Sequence, residues 1–347
     1  MMPTTRRRPS LPGAVFRATL LSATLLVAGS ALASDPPQSA AEWIEWANEA
    51  RERNSFIGEF VYRHGNDIET MKIWRAADPE SGIRERLISL SGDPREILRG
   101  DDSVTCILGN SQSVLVDRRQ LRRPLSARIP EDVERLRPHY RLQLVGEDRV
   151  AGRRAMQITL EPQDDLRYGY SVWLDHETGL MTRAEVIDPD NQVIEQLMML
   201  DIDPREQIDP VLLEPTLSGE GAEYTLVTSD LARANAVPDA DSREEWAMEE
   251  QLAGFAVQMN RMQQLPGRPH PVRHLMLSDG LATISVYIEP EGQAEGFEGG
   301  MQMGAMNAYG RTSDGYQAIV VGEVPAATVE RIAHSLVPNN DTSQPGQ

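Results

Sequence analysis

The stretch Tyr170–Asp188, YSVWLDHETGLMTRAEVID, decides the fold of this chain. Two runs rich in apolar residues, Tyr170–Leu174 and Leu180–Ile187, flank the turn-forming centre DHETG. Asp175 can hydrogen-bond its own following backbone, and Gly179 supplies a positive φ without steric cost. Because aromatic and β-branched residues favour strands, the stretch predicts a β-hairpin.

Other short strand candidates surround this hairpin at a spacing of about 8–12 residues, which is typical of all-β domains. They are Phe56–Arg63, Ile68–Arg75, Arg84–Leu90, Glu96–Arg99, Ser103–Leu108, Ser113–Asp117, Tyr140–Glu147, Arg153–Pro162 and Val193–Ile202. Ala40–Arg53 has apolar residues at helical spacing after a candidate N-cap, Ser39. The sequence therefore predicts a mainly β (α+β) fold, in which a long sheet with covering helices curves over an apolar interior.

A proline-rich stretch, Asp203–Asp241, separates this series from a second one. The second series predicts a loop at Pro290–Gly304, mobile because it is rich in glycine and acid, and a closing amphipathic helix at Ala326–Leu336. Its predicted strands are Trp246–Glu250, Ala256–Gln264, Val272–Ser278, Ala282–Glu289, Met306–Arg311 and Tyr316–Glu323. The predicted boundaries are a first domain at 34–217, a linker at 218–242, a smaller β-rich domain at 243–337 and a disordered tail at 338–347.

The first 33 residues predict a signal peptide. Arginines at positions 6–8 precede an apolar run that is too short to span a membrane, and Ala31–Ala33 has the small-x-small pattern that signal peptidase accepts. We therefore expect export out of the cytoplasm and cleavage after Ala33.

The charge of the chain argues against nucleic acid as a partner. The formal net charge is −19 and becomes −23 without the four arginines of the leader. Nucleic-acid binding requires basic surface instead. One local cluster is basic in spite of the negative net charge, and it is either a solvated loop face or a site for acidic groups. It consists of Arg118, Arg119, Arg122 and Arg123.

Catalytic and metal-binding motifs are missing from the sequence. It contains no G-x-S-x-G elbow, H-E-x-x-H pair or phosphate-binding loop. Cys106 is the only cysteine, which excludes an intramolecular disulfide, and a buried small hydrophobe is its simplest interpretation. The sequence predicts no cofactor, no metal site and no enzyme.

The apolar faces of the first strand series are candidates to line a lipid-binding cavity. An ordinary packed core is the alternative, and sequence alone does not separate the two. The candidate lining residues are Phe60, Tyr62, Ile73, Ile88, Leu142, Ile158 and Trp173.

The order of these pieces resembles the MucB/RseB family over nearly the whole predicted mature chain. The resemblance is carried by F-x-G-x-F-V-Y at Phe56–Tyr62, W-L-D-x-x-T-G-L at Trp173–Leu180, W-x-x-x-x-x-L-A-G-F at Trp246–Phe255, I-S-V-Y-I-E at Ile284–Glu289 and G-A-M-N-A-Y-G-R at Gly304–Arg311. The hairpin motif alone is shared with lipoprotein carriers of the LolA kind.

The resemblance implies a LolA-like half-open β-barrel followed by a smaller C-terminal domain. It also implies a negative regulator of an envelope-stress sigma factor. Such a regulator binds the periplasmic region of a transmembrane anti-sigma factor (MucA/RseA-like), shields it from its site-one protease, and is released by lipid or lipopolysaccharide. The sequence does not decide between a monomer and a homodimer. The alternative is a periplasmic lipid or lipoprotein carrier without a regulatory partner.

Residue-level sites are hypotheses from the strand pattern. We expect acyl chains in the first domain, with the Arg118–Arg123 cluster meeting phosphates at its mouth. We expect Trp246, Phe255 and Tyr309 to be aromatic anchors for the anti-sigma segment, since aromatic residues dominate interface hot spots. The alternative for these three is that they belong to the core.

Overall fold

The computed structural model describes most of the chain that follows residue 36. The described residues are 37–79, 82–100, 104–109, 113–117, 129–130, 132–217, 225–229, 246–265, 268, 270–292 and 296–338. The predicted leader, the Arg118–Arg123 cluster, most of the predicted linker and nearly all of the predicted tail lie outside these residues.

Three α-helices are described: α1 (Ala40–Arg53), α2 (Val133–Leu136) and α3 (Ala326–Ser335). α1 begins as predicted, because the Ser39 side chain accepts a hydrogen bond from the Glu42 backbone N–H at 3.2 Å. Its buried residues Trp43, Ile44, Ala47 and Ala50 follow the predicted helical spacing. None of the described helices combines the length and the apolar character needed to cross a membrane.

The first sheet has twelve strands. They are β1 (Ser55–His64), β2 (Asp67–Asp78), β3 (Gly82–Ser89), β4 (Arg95–Arg99), β5 (Val104–Leu108), β6 (Ser113–Asp117), β7 (Tyr140–Val150), β8 (Arg153–Pro162), β9 (Gly169–Asp175), β10 (Met181–Ile187), β11 (Val193–Arg205) and β12 (Thr225–Ser229). Their order is β12-β6-β5-β4-β3-β2-β1-β11-β10-β9-β8-β7, and only β12 and β6 pair in parallel. The sheet is open, since β12 and β7 stand at opposite ends of this order, which confirms the expected half-open architecture.

The predicted hairpin is confirmed as β9 and β10, and its turn is organised by Asp175. One oxygen of this buried carboxylate accepts hydrogen bonds from the backbone N–H groups of Glu177 and Thr178 and from the Thr178 hydroxyl. Arg153 donates to both oxygens, at 2.7 and 3.1 Å. Gly179 has φ +70°, and a Cβ at this position would lie 2.8 Å from Ala50 on α1. The turn therefore needs glycine both for its backbone and for its packing.

The second sheet has six strands in the order β14-β15-β16-β19-β18-β17. They are β14 (Ala256–Gln263), β15 (Val272–Ser278), β16 (Thr283–Pro290), β17 (Gly299–Met303), β18 (Met306–Ser313) and β19 (Tyr316–Gly322). Two short strands, β13 (Trp246–Met248) and β20 (Leu336–Pro338), pair beside it.

Most predicted strands are confirmed, and two differences concern the second series. The predicted mobile loop Pro290–Gly304 contains β17, because pairing with β18 outweighs the weak strand propensity of its glycines. The predicted closing helix ends at Ser335, one residue early, because Leu336 begins β20.

Each sheet has its own apolar core. The larger core lies between α1 and the face of the first sheet that α1 covers, which we call the inner face. The second core lies between the second sheet and α3 and includes Leu277, Ile284 and Ile332, all fully buried. A smaller cluster around Trp74 lies on the opposite, outer face of the first sheet, where the 3-10 helix Pro210–Leu213 covers it.

Candidate functional site

Most of the predicted lipid-lining residues lie on the inner face. Phe60, Ile73 and Ile158 belong to the larger core, and Tyr62 and Leu142 pack against it half-buried. These five positions come from four different strands and lie in or against the larger core, as the alternative of an ordinary packed core also expects.

The other two predicted lipid-lining residues, Ile88 and Trp173, lie on the outer face. Ile88 packs against the Trp74 cluster. Trp173 belongs to a small cluster with Val150 and Ala155, and its indole N–H donates to Asp148 at 2.9 Å. Their neighbours Leu87 and Val172 face inward instead. The sequence did not reveal this because nearly continuous apolar runs do not show which alternate residues face the core.

The inner face also carries a row of charges on neighbouring strands. Arg75, Glu85 and Arg99 are directly paired across β2, β3 and β4. The Arg75 guanidinium lies 3.0 Å from Glu85, and Arg99 lies 3.4 Å from the second oxygen of the same carboxylate. Desolvation by burial lowers the pKa of Arg75 in spite of the Glu85 charge.

Arg95 lies two residues before Ile97 on β4, and Arg99 lies two residues after it. Both arginines therefore share the face of the strand that carries Ile97. Arg95 pairs with Glu69 at 2.5 Å, and Ile97 is directly opposite Cys106 on β5. Burial raises the pKa of the Cys106 thiol overall, although the positive charges of Arg95 and Arg99 act in the opposite direction. Cys106 thus neighbours the position on β4 that lies between the two arginines.

We call Arg95, Ile97, Arg99 and Cys106 the inner-face patch. The sequence analysis missed its two arginines, although the alternation R-E-I-L-R at Arg95–Arg99 places both on the side of Ile97.

The predicted partner-binding residues lie in and around the second core. Phe255 is buried within it, whereas Trp246 and Tyr309 pack half-buried at its rim. The Trp246 ring meets Tyr316 edge to face at 5.2 Å, and the Tyr309 ring lies 5.6 Å from His334. The structure thus brings Trp246 and Tyr309 to the partly exposed edge of this core and keeps Phe255 inside.

The segment Asp164–Tyr168, between β8 and β9, joins the two cores, and we call it the joint. Leu166 packs in the second core, and Tyr168, two residues later, packs in the first. The Thr328 hydroxyl of α3 donates to the Leu166 carbonyl at 3.0 Å. The joint therefore fastens the first sheet to the helix that covers the second.

Arg167 occupies the centre of the joint. Arg167 and Asp279 are both completely buried, and their nearest side-chain atoms are 2.7 Å apart. Arg167 also donates to Asp164 at 2.9 Å and to the Ala253 carbonyl. Its guanidinium lies 4.8 Å from the centre of the Phe255 ring, within the range of a cation–π contact. Burial alone lowers the pKa of Arg167, but the Asp164 hydrogen bond and the Asp279 charge raise it overall.

The Asp279 carboxylate is satisfied on every side. One oxygen accepts from the backbone N–H groups of Leu281 and Ala282, at 2.8 and 2.7 Å. The other accepts from Arg167 and, at 3.1 Å, from the Tyr140 hydroxyl. Burial, with Tyr170 and the Asp279 charge, raises the pKa of Tyr140 well above its usual value. Tyr140 is therefore a neutral donor that links β7 to the turn between β15 and β16.

A second polar link crosses between the sheets beside the joint. Asn307 on β18 donates to the Tyr168 hydroxyl at 2.9 Å and to the Val324 carbonyl at 2.8 Å. Burial raises the pKa of Tyr168 to about 12, although the Asn307 hydrogen bond acts against this rise. Tyr168 therefore stays protonated at physiological pH.

The turn between β17 and β18 makes a third contact with the first sheet. The backbone N–H of the fully buried Ala305 donates to Glu195 on β11 at 3.1 Å. Gly304 has φ +61°, and a Cβ at this position would lie 2.9 Å from the same carboxylate and 3.3 Å from His64. The hairpin tip therefore fits closely onto the ends of β1 and β11.

These features suit binding and coupling between two sheets. Among the described residues, no group of three or more His, Cys, Asp or Glu side chains is placed to hold a metal ion. The buried ionisable residues of the joint are held in fixed pairs.

Comparison with known proteins identifies similar chains. The family model of the MucB/RseB N-terminal domain matches residues 39–217, and that of the MucB/RseB C-terminal domain matches residues 240–337. The sigma factor AlgU regulatory protein MucB of Pseudomonas aeruginosa is 33% identical over 320 residues, which cover 90% of this chain and 96% of the relative.

Solved structures agree with this result. A crystal structure of MucB in complex with MucA(peri) is 30% identical, with a TM-score of 0.66, and the match covers 86% of this chain and 99% of that one. A crystal structure of MucB has a TM-score of 0.58 at 29% identity, and the match covers 86% of this chain and 98% of that one.

Proposed function

This chain belongs to the MucB/RseB family, and from that membership we propose that it is a periplasmic negative regulator of an extracytoplasmic sigma factor. It binds the periplasmic region of a transmembrane anti-sigma factor and performs no catalysis. The observation that carries the proposal is the structure of MucB bound to MucA(peri), of which 99% is matched by this chain. The leader that ends at Ala33 accounts for export.

Binding protects the anti-sigma factor from site-one proteolysis in this proposal. A protease needs an accessible segment, and a segment held on the surface of another protein is not accessible. The half-buried Trp246 and Tyr309, at the rim of the second core, offer aromatic area at low entropic cost. A segment that contacts this rim and also the first sheet would depend on the joint, which fixes one sheet against the other.

Lipid or lipopolysaccharide releases the partner in this proposal. A ligand shifts an equilibrium only as far as it binds one state better than the other. Acyl chains that enter between α1 and the inner face have to separate them. Tyr140 and Tyr168, on this core, are hydrogen-bonded to Asp279 and Asn307 of the second sheet. The joint is thus a physical route from the inner face to the partner surface.

The proposal is tested by calorimetric titration of the protein with the periplasmic segment of the host's anti-sigma factor, with and without lipopolysaccharide. We expect a Kd of about 1 μM or tighter, which corresponds to a binding free energy of roughly −8 kcal/mol or more favourable, and a higher Kd when lipopolysaccharide is present. An equal Kd with and without lipopolysaccharide would support the regulatory role and contradict release by lipid. Absence of binding to the segment contradicts the proposal.

Proteolysis gives a second measurement. The anti-sigma segment is digested by its site-one protease alone, with the full protein, and with protein and lipopolysaccharide together. We expect slow digestion only in the second mixture. Rapid digestion despite saturating binding contradicts the protective role.

The alternative of a lipid carrier without a partner is less well supported. A carrier needs only the inner face of the first sheet, but here Leu166 packs in the second core and the Arg167 charge is compensated there by Asp279. Deleting residues 243–347 would expose both. Lipid transfer between vesicles by the intact protein, without partner binding, would favour the carrier.

A further inference from the structure

The inner-face patch has two features of a site for an amphiphile with an anionic group. Arg95 and Arg99, four residues apart on β4, are separated by about 13 Å along the strand, with Ile97 between them. Leu87 and Ile73, on β3 and β2, continue the apolar surface from Ile97. Positive charges thus stand at both ends of an apolar strip.

The arginines keep hydrogen-bond donors in reserve. Arg95 uses one nitrogen for Glu69, and Arg99 uses one for Glu85. The Nε atoms of both are buried without a hydrogen-bond partner. A buried donor without a partner is unfavourable, and each guanidinium has five N–H groups in a fork that matches carboxylate or phosphate oxygens.

Access is compatible with a ligand. Ile97 and Cys106 are only partly buried, in contrast to the closed core around Ile158. The local charge is also favourable. Three arginines (Arg75, Arg95 and Arg99) face two glutamates (Glu69 and Glu85) on this part of the inner face, in a protein whose total charge is strongly negative.

We propose that the inner-face patch binds an amphiphile whose anionic group pairs with the guanidinium of Arg95 or of Arg99, at one end of the apolar strip, while Ile97 and Leu87 contact the start of the apolar chain. The site deepens the lipid-sensing part of the proposed function and rests on it. It assigns the charge contacts to β4 rather than to the Arg118–Arg123 cluster.

Cys106 provides a reporter at the site without any substitution, since it is the only cysteine of the chain. The rate of its alkylation by iodoacetamide is measured on the full protein with and without dodecyl phosphate. We expect saturable protection of at least about tenfold. Inorganic phosphate and the neutral amphiphile dodecyl maltoside serve as the two comparison ligands, and we expect little protection from either.

The arginines are tested by Arg95→Gln and Arg99→Gln. Replacing the arginine that pairs with the phosphate should weaken the apparent affinity for dodecyl phosphate by about tenfold, the usual effect of losing one hydrogen bond to a charged group, and the double variant should weaken it at least as much. Arg84→Gln, on the other face of β3, is the matched control and should change nothing. Because the arginines also affect the thiol pKa, the measured quantity is the ratio of rates with and without ligand at each pH.

Several results overturn the proposal. Equal protection by dodecyl maltoside shows that the strip binds apolar chains without charge recognition. Protection by inorganic phosphate alone shows a free-anion site. Unchanged affinity in both arginine variants removes their role. Titration of the variants with the anti-sigma segment separates this site from the regulatory function, because partner binding without lipid should be unaffected by either substitution.

Discussion

The joint and the inner-face patch both place arginines beside apolar side chains, but they leave these charges in different states. At the joint, Arg167 is bonded to two carboxylates and a carbonyl, and Asp279 accepts from four donors. In the patch, Arg95 and Arg99 each meet one carboxylate and keep a buried Nε without a partner. A buried charge with complete pairing fixes one arrangement of two sheets. Incomplete pairing beside partly open apolar surface suits a ligand.

The largest effect should come from removing charge compensation at the joint. Arg167→Met leaves Asp279 buried without its cation, and losing one member of a buried pair typically costs about 3–5 kcal/mol. We expect a decrease of this size in the free energy of unfolding, measured by urea denaturation.

The double variant Arg167→Met with Asp279→Asn is the control. Asparagine keeps an acceptor for the Leu281 and Ala282 N–H groups and removes the orphan charge. We expect the double variant to be about 1–2 kcal/mol more stable than Arg167→Met alone. Equal stability of the two variants would show that the charge of Asp279 is not what makes the joint costly to break. In the same double variant, lipid should weaken partner binding less than in the parent protein, because the route between the sheets has lost its fixed pair.

The next largest decrease in the free energy of unfolding should come from replacing Asp175, a fully paired carboxylate within the first sheet. Asp175→Asn loses the bidentate pair with Arg153, and we expect a loss of about 2–3 kcal/mol at neutral pH. Burial raises the pKa of Asp175, but the hydrogen bonds from Arg153 and Thr178 lower it overall. The stability that it contributes is therefore present above the unfolded pKa of about 3.9 and is lost as pH falls through the lower folded value.

Denaturation of the parent protein and of Asp175→Asn at several pH values checks this sign. The difference between them should be constant from about pH 6 upward and should shrink below about pH 4. A difference that grows on acidification would contradict the assigned pairing.

The contact of the β17–β18 turn with the first sheet should be smaller in effect. Gly304→Ala puts a Cβ 2.9 Å from Glu195 at φ +61°, and we expect a loss of about 2 kcal/mol from backbone strain and crowding together. Gly315→Ala is the matched control, since it has φ +78° with open space around its Cβ and should cost only about 1 kcal/mol. Equal losses, measured by thermal unfolding, would mean that the turn does not press on the first sheet.

The sequence was sufficient to predict most helices and strands, but it did not predict the joint or the inner-face patch. Strand propensity and turn residues predicted the hairpin of β9 and β10, and helical spacing after a candidate N-cap predicted α1, because these depend on local pattern. The half-open sheet was implied by the family resemblance. The joint depends on contacts far apart in sequence. Arg167 and Asp279 are separated by 112 positions, so no local pattern pairs them.

The candidate site was predicted only in part for the same reason. The seven apolar candidates were named without a face being assigned to each. Phe60, Ile73 and Ile158 lie on the inner face, whereas Ile88 and Trp173 lie on the outer face, because their apolar runs do not show which alternate residues face the core. Arg95 and Arg99 were overlooked in favour of the denser Arg118–Arg123 cluster, because a count of charges along the chain does not show which of them share a sheet face with apolar neighbours.

The smallest change in stability should occur at the inner-face patch, where the change in binding should be the largest. Arg99→Gln leaves the pair of Arg75 and Glu85 intact, so the buried carboxylate keeps a cation 3.0 Å away. We expect the free energy of unfolding to change by less than about 1 kcal/mol, as for a partly exposed ion pair, while the protection of Cys106 by dodecyl phosphate weakens. If Arg99→Gln lowers the free energy of unfolding by several kcal/mol, Arg99 is a structural charge like Arg167. If the free energy of unfolding is unchanged and the protection of Cys106 weakens, the two arginines have different roles. The reason is that removing a structural charge destabilises the free protein, whereas removing a ligand-binding charge lowers only the affinity for the ligand.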